Sequence, residues 1–281
     1  MLILNESLIA AYHAHGYEEP FDYHSHQEYE IYFFHAGSCR YLIHNKIYDL
    51  VPGDILLMDG MTLHKPNVRQ NSEYVRSVIH FSPTWIKGVL EEMGSMSLLD
   101  PFKKLHHCLI RTNENSESRR LEEIVCRLAK LRWTTDLQDR YAETEMKVLL
   151  LQALISVNRL GRIDSIKLPS YKADKTEHAE NIATFVQSNY MQKLTLDTIA
   201  EALNLSRSYV SHVFKEMTGF TVMEYLMGCR LTQVKYLLEM EPGKALKDVA
   251  IESGFESVSH FSRYFKKKVG VTARAYRNLR K

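Results

Sequence analysis

Hydrophobic positions change their spacing twice along the chain. From Glu18 to about Phe81 they come in short runs rich in Tyr, Ile, Val and Phe, separated by turn residues, which predicts strands. The runs are Glu28 to His35, Cys39 to His44 and Lys46 to Leu50 around a turn at Asn45, Asp54 to Met58 after Pro52-Gly53, and Tyr74 to Phe81. Strands this short and evenly spaced predict a small barrel or jelly roll. From 117 to 160 the spacing becomes helical. Leu121, Ile124, Val125, Leu128 and Leu131 form one stripe; Tyr141, Met146, Leu149, Leu150, Ala153, Leu154 and Val157 form a second, which Gly161 is expected to end. Val148 to Leu151 is apolar over more than one face, so this helix should touch a second subunit or cover an open face of the barrel.

The last hundred residues are helical and contain a repeat. SRSYVSHVFKEMTGFTVMEY at 206–225 and SVSHFSRYFKKKVGVTARAY at 257–276 share eight of twenty positions at an offset of 51. Each copy follows a short amphipathic helix, which is the layout of a helix-turn-helix. In the first, Thr195 is expected to cap a helix over Leu196 to Leu203, Asn204-Leu205 to turn, and Ser206 to cap the next helix. Val210, Val213, Phe214 and Met217 make its buried stripe, and Gly219 ends it. Arg207, Ser208, Ser211, His212 and Lys215 then face out. In the second copy Leu246 to Ser253 supports, Gly254-Phe255-Glu256 turns with one residue more, and Ser257 caps. Phe261, Tyr264 and Phe265 face inward there, while Ser259, His260, Ser262, Arg263, Lys266 and Lys267 face out. A polar, basic face with short side chains suits a helix in the major groove, and two such helices imply two groove segments about one turn, ~34 Å, apart. Packing alone would not preserve the outward face in a duplication.

Charge supports this division. From residue 177 onward 15 Lys and Arg stand against 11 Asp and Glu, a net +4, whereas the rest of the chain carries −2. The excess is modest and predicts salt-sensitive, moderate nonspecific affinity for nucleic acid. Cys39, Cys108, Cys126 and Cys229 are scattered, so buried reduced thiols are expected in place of disulfides or a zinc knuckle. The apolar start, Met1 to Ala11, lacks a basic lead and contains Glu6, unlike a secretion signal, and no stretch is long enough to cross a membrane. A cytoplasmic protein of two domains is expected.

Residues 178–281 resemble the DNA-binding domain of the AraC/XylS family, most closely from Asp248-Val249-Ala250 through Gly254-Phe255 to Ser259-His260-Phe261-Ser262-Arg263-Tyr264-Phe265-Lys266-Lys267. The resemblance implies seven helices with a long connecting helix, here Thr221 to Glu239. It places base contacts at Ser208, Ser211 and His212 in the first unit and at Ser259, His260 and Arg263 in the second. Residues 208 and 211 lack the longer side chains of some members, which shifts readout there to Arg207 and His212, or to phosphates and DNA shape.

The strand-rich half has its own pattern: His24-Ser25-His26, Glu30 and Gly37, then Gly53 and His64. His24, His26 and Glu30 share even parity and would project to one face of a strand. This is similar to the first cupin motif. The second motif is partial, with Asp59 and Met61 where it has proline and glycine, and its asparagine displaced to Asn67. Three readings stay open: an effector pocket using these groups for hydrogen bonds, a divalent metal site of His24, His26, Glu30 and His64, or a structural cluster. His35, Arg40, His80 and Trp85 are further pocket candidates, and an arm with Tyr12, His13, His15 and Tyr17 could fold over the mouth.

The expectation is an α+β chain of two domains. Residues 1–161 would form a cupin-like sensing and dimerisation domain (barrel about 18–85, helices about 117–161), 162–177 a linker, and 178–281 the all-α DNA-binding domain. The resemblance implies a transcription regulator, commonly an activator, that responds to a small effector, often a sugar, and works as a homodimer with double-stranded DNA and RNA polymerase as partners. No cofactor and no membrane is expected. The competing reading is a metal-dependent cupin dioxygenase or isomerase with a DNA-binding appendage, which needs a metal with an open position.

Overall fold

The computed structural model describes residues 7–16, 28–43, 45–59, 63–69, 72–104, 108–112, 115–134, 139–163 and 174–279. Its first part holds eight strands: β1 (Leu8–His15), β2 (Tyr29–Gly37), β3 (Cys39–Ile43), β4 (Lys46–Asp49), β5 (Asp54–Met58), β6 (His64–Val68), β7 (Tyr74–Phe81) and β8 (Cys108–Arg111). They form a five-stranded sheet in the order β1-β7-β2-β5-β8 and a three-stranded sheet in the order β4-β3-β6, with antiparallel pairing throughout. Alternation along the strands separates two apolar cores. Tyr32, Phe34, Tyr41, Ile43, Leu56 and Tyr74 fill the space between the sheets. Ile31, Phe33, Ile55, Leu57, Ile79 and Phe81 point away from it and are covered by helices.

Those helices are α1 (Pro83–Glu92), α2 (Asp100–Lys104), α3 (Ser116–Thr134) and α4 (Ala142–Ile163). Both expected stripes bury against the outer face of the larger sheet, through Leu121, Ile124, Val125 and Leu128 of α3 and Leu149, Leu150, Ala153, Leu154 and Val157 of α4. Tyr141 departs from its stripe and is exposed, as is Val148. Gly161 does not end α4, which runs to Ile163. Within the chain this apolar helix packs chiefly against α3, with a smaller contact to β8.

Seven helices follow: α5 (Asp174–Asn189), α6 (Leu196–Ala202), α7 (Arg207–Thr218), α8 (Val222–Met240), α9 (Leu246–Glu252), α10 (Val258–Val269) and α11 (Ala273–Leu279). Because α5 starts at Asp174, the last four residues expected in the linker are helical. Arg230, in mid-α8, is buried and donates to Tyr190 O (2.8 Å) and Gln192 O (2.9 Å), neutralising the carbonyl end beyond α5. Gly254 packs so tightly that a Cβ would sit 2.5 Å from Tyr190 O.

The strand expectations for β2 to β5 and β7 agree with the structure to within a residue or two. Three strands were not foreseen. The supposed arm is β1, which pairs with β7 and carries a bulge between Ala11 and Ala14. It lies along the sheet edge and its Tyr12 and His13 reach α3, not the barrel mouth. β6 contains Pro66, tolerated because β6 is the edge of its sheet. β8 is only four residues long.

Candidate functional site

Two helical hairpins carry the repeat, and the structure shows what each shared residue does. Ser206 Oγ accepts the Tyr209 N–H at 3.2 Å and Ser257 Oγ accepts the His260 N–H at 3.1 Å, capping α7 and α10. Gly219 (φ 75°) and Gly270 (φ 83°) end these helices in the left-handed conformation, donating to Lys215 O and Lys266 O. Thr221 and Thr272 cap the following helices through Glu224 N–H and Ala275 N–H, each at 3.2 Å. Phe214 meets Tyr225 with ring centroids 5.4 Å apart, and Phe265 meets Tyr276 at 5.6 Å. The turns match as well. Asn204 (φ 53°) precedes Leu205, whose N–H donates to Ala200 O; Gly254 (φ 83°) precedes Phe255, whose N–H donates to Ala250 O.

Three shared positions have no such structural duty: Ser208/Ser259, Ser211/Ser262 and Lys215/Lys266, all on the outward face. Of the residues named from sequence, Arg207, Ser208, His212, Lys215, Ser259, His260, Arg263 and Lys266 are exposed and Ser211 is half-buried. Arg207, Ser208, Ser211 and His212 line one open groove. Two of them have acidic neighbours: Arg207 Nη1 is 3.3 Å from Asp197, and His212 Nε2 is 3.5 Å from Glu216. Lys175 holds the Glu216 carboxyl below its ordinary range.

The barrel interior gathers three of the sequence candidates. Glu30 (β2) is 3% exposed, and its carboxylate lies 3.3 Å from His64 Nε2 (β6) and 3.8 Å from His80 Nε2 (β7). The cluster therefore joins the two sheets across the barrel interior. The Tyr41 ring stacks beside His64, and burial holds the Tyr41 hydroxyl well above its usual range. His24 and His26 lie outside the described residues.

His35, Trp85 and Arg40 are not in this cluster. His35 differs from Glu30 by an odd number of residues and lies on the outer face of the sheet, near His13 and Glu122. Burial, and then His13, push its imidazole down to about 4. Trp85 sits on α1, where Nε1 donates to Glu143 (3.0 Å) and Lys147 covers the ring. Arg40 points out of the small sheet to Asp49 (2.7 Å) and Met217. Cys39 and Cys229 are buried and their thiols are pushed up to about 12 by burial, so neither is a reactive nucleophile.

Sequence reasoning missed the contact between the barrel and the first hairpin. Outward residues of β3, β4 and β6 rest on α5, α7 and the turn after α7. Leu42, Ile47 and Leu63 join the apolar core of that hairpin. Asn67 Nδ2 donates to Glu216 O (3.1 Å), the Lys65 ammonium lies 4.0 Å from the Phe220 ring centroid, and Glu180 accepts from Ile47 N–H (2.9 Å) and Lys46 (3.2 Å). Along β6, His64 faces the barrel interior while its neighbour Lys65 faces the DNA-binding half. One strand thus separates the barrel interior from the hairpin, a relation that depends on tertiary docking and leaves no local signal.

A family model described as an AraC-like ligand binding domain matches residues 7–142, and one described as a helix-turn-helix domain matches residues 199–279. The chain belongs to the AraC family of transcription regulators. Similar AraC-family proteins align over nearly the whole chain. The melibiose operon regulatory protein of Escherichia coli (strain K12) is 26% identical over 275 residues, covering 91% of this chain and 83% of that protein. The Msm operon regulatory protein of Streptococcus mutans is 26% identical over 251 residues, covering 89% and 84%. The lactose operon transcription activator of Staphylococcus xylosus is 22% identical over 249 residues, covering 86% and 81%. An AraC-family regulator binds DNA and carries a separate ligand-binding half, which is the division seen here. Among the described residues no helix is long and apolar enough to cross a membrane.

Proposed function

We propose that this protein is a cytoplasmic transcription activator, not an enzyme, whose α7 and α10 enter successive major grooves and whose barrel binds a sugar or sugar derivative. The observation that carries the DNA reading is the set of outward identities, Ser208/Ser259, Ser211/Ser262 and Lys215/Lys266, which no cap or core contact accounts for. Arg207, His212, His260 and Arg263 add the longer donors that hydrogen-bond base edges, and Lys215 and Lys266 meet phosphates. Working units are the sensor through α4, a connection across 164–173, and the DNA-binding half from α5.

The barrel reading rests on Glu30, His64 and His80. A buried carboxylate flanked by two imidazoles offers both acceptors and donors to vicinal hydroxyls, and Tyr41 gives a flat wall. Relatives named for melibiose and lactose operons support a sugar of that class. Occupancy of the barrel reaches DNA through β3 and β6: a ligand that moves His64 moves Lys65 and Asn67 on the reverse side, and with them the C-terminal end of α7. The ligand must favour one arrangement by its own contacts, since equal affinity for both shifts nothing. Homodimerisation through exposed Val148 and Tyr141 on and beside α4 would hold two such units at an operator, and the bound dimer would recruit RNA polymerase.

Capture of genomic fragments by the purified protein, with and without melibiose or lactose, tests this function. Enrichment of discrete sites that an Arg207→Ala/Arg263→Ala variant loses supports it. Equal enrichment by wild type and variant defeats it.

A further inference from the structure

The odd-parity face of the larger sheet carries a second cluster, unconnected with the barrel interior. His13 Nε2 lies 3.1 Å and His35 Nδ1 3.8 Å from the same oxygen of Glu122, with all three ligand atoms within 4.8 Å of one another. We propose that His13, His35 and Glu122 bind a divalent transition metal of the zinc class, tying edge strand β1 to α3.

Three features of the backbone and its surroundings build this site. The β1 bulge inserts one residue against β7, so the consecutive side chains of Tyr12 and His13 both turn toward α3, their rings stacked 4.2 Å apart. His13 itself has φ 48°, and among the described residues the one other non-glycine in that region is Asn204, which the end of α6 explains. Strain held at a histidine aimed at a carboxylate and a second histidine is the pattern of a ligand-holding site. Ser77 Oγ then orients both imidazole-bearing residues: it accepts the His13 backbone N–H at 3.0 Å and lies 2.7 Å from His35 Nε2. With Nε2–H donating to Ser77, the lone pair of Nδ1 faces Glu122, the outer arrangement that metal-binding histidines use.

Ligand type decides the ion class. Two imidazoles and one carboxylate suit zinc and its neighbours, whereas calcium and magnesium require oxygen donors. Bonds of about 2.0–2.1 Å in a tetrahedron place ligand atoms roughly 3.3 Å apart, a value the two measured separations bracket. Three protein ligands leave one position open. It faces a cleft of about 410 Å³ whose walls include Phe33, Thr112, Ser118 and Arg119, so water or an anionic group can complete the shell.

The test is equilibrium dialysis of the chelator-stripped full-length protein against cobalt(II), followed by zinc displacement, in a His64→Ala/His80→Ala background that disables the barrel cluster. One equivalent with visible d–d absorption, bleached by zinc, is expected. His13→Ala and Glu122→Gln should each weaken binding by about a hundredfold or more while circular dichroism stays unchanged, and Glu123→Gln, one residue along α3, should retain it. Absence of binding in this background, or affinity unaffected by both His13→Ala and Glu122→Gln, would overturn the proposal.

Discussion

Replacing Glu180 tests whether the barrel and the DNA-binding half form one coupled unit. Glu180 lies on α5, a helix that would otherwise be a solvent-facing support for the first hairpin, yet it is only 5% exposed. Its carboxylate accepts the Ile47 N–H at 2.9 Å and the Lys46 ammonium at 3.2 Å. Strand β4 is the edge of the small sheet, so Ile47 finds no strand on that side and Glu180 supplies the missing acceptor. Alanine removes a charge-assisted bond and strands a buried N–H, which costs about 2–3 kcal/mol, or roughly 30- to 150-fold in the docked population. Glutamine keeps an acceptor for Ile47 and loses the ionic part. Lys46 is half exposed, so that part amounts to less than about 1 kcal/mol, and Lys46→Ala should cost no more. Urea unfolding by circular dichroism, with midpoints and slopes fitted together, measures the series. The expected order is Glu180→Ala well above Glu180→Gln and Lys46→Ala. A cost below about 0.5 kcal/mol for Glu180→Ala, the value typical of an exposed helix position, would refute the docking.

Other substitutions separate the parts of the account. Gly254→Ala meets both a left-handed backbone and the Tyr190 carbonyl, whereas Gly270→Ala meets the backbone strain alone, with nothing within 4 Å of the added carbon. Thermal unfolding should show the first losing clearly more than the about 1–2 kcal/mol expected of the second. Ser206→Ala and Ser257→Ala each remove a helix cap and should cost about 1 kcal/mol, with equal values in the two hairpins marking them as true duplicates. In gel-shift titrations Arg263→Ala should lose about 1–3 kcal/mol on the specific site and relax preference at one base pair, while Lys215→Ala should weaken specific and random DNA alike and flatten the salt dependence. Equal losses for Arg263→Ala on both kinds of DNA would remove it from base readout.

The hairpins were legible because their determinants are local. Serine and threonine caps, glycine ends and a 3.6-residue stripe act within one turn of helix, and the duplication displayed them twice. The one-residue difference between turns was also visible, since Asn204 and Gly254 are 50 apart and the helices that follow are 51 apart. The barrel was legible where strands alternate cleanly, as in β7, or form an uninterrupted apolar run after a turn, as in β5 behind Pro52-Gly53. It was not where the pattern is interrupted: the bulge at Tyr12 and His13 breaks the alternation of β1, and Pro66 disguises β6. Grouping His35 with Glu30 ignored parity, which already put them on opposite faces. Trp85 and Arg40 were drawn in by residue type, but a helix and an outward strand position carry them elsewhere. The contact of Lys65, Asn67 and Glu180 across the halves depends on two separately folded surfaces meeting, and no spacing along the chain encodes it.

The central claim is that one chain reads two successive grooves with two equivalent helices, and base-resolved protection on a captured site tests it most directly. Wild type should protect two segments about one helical turn apart. His212→Ala should erase protection and base preference in one segment only, and Arg263→Ala in the other. A single protected segment, or two variants that both weaken the same segment, would contradict the account.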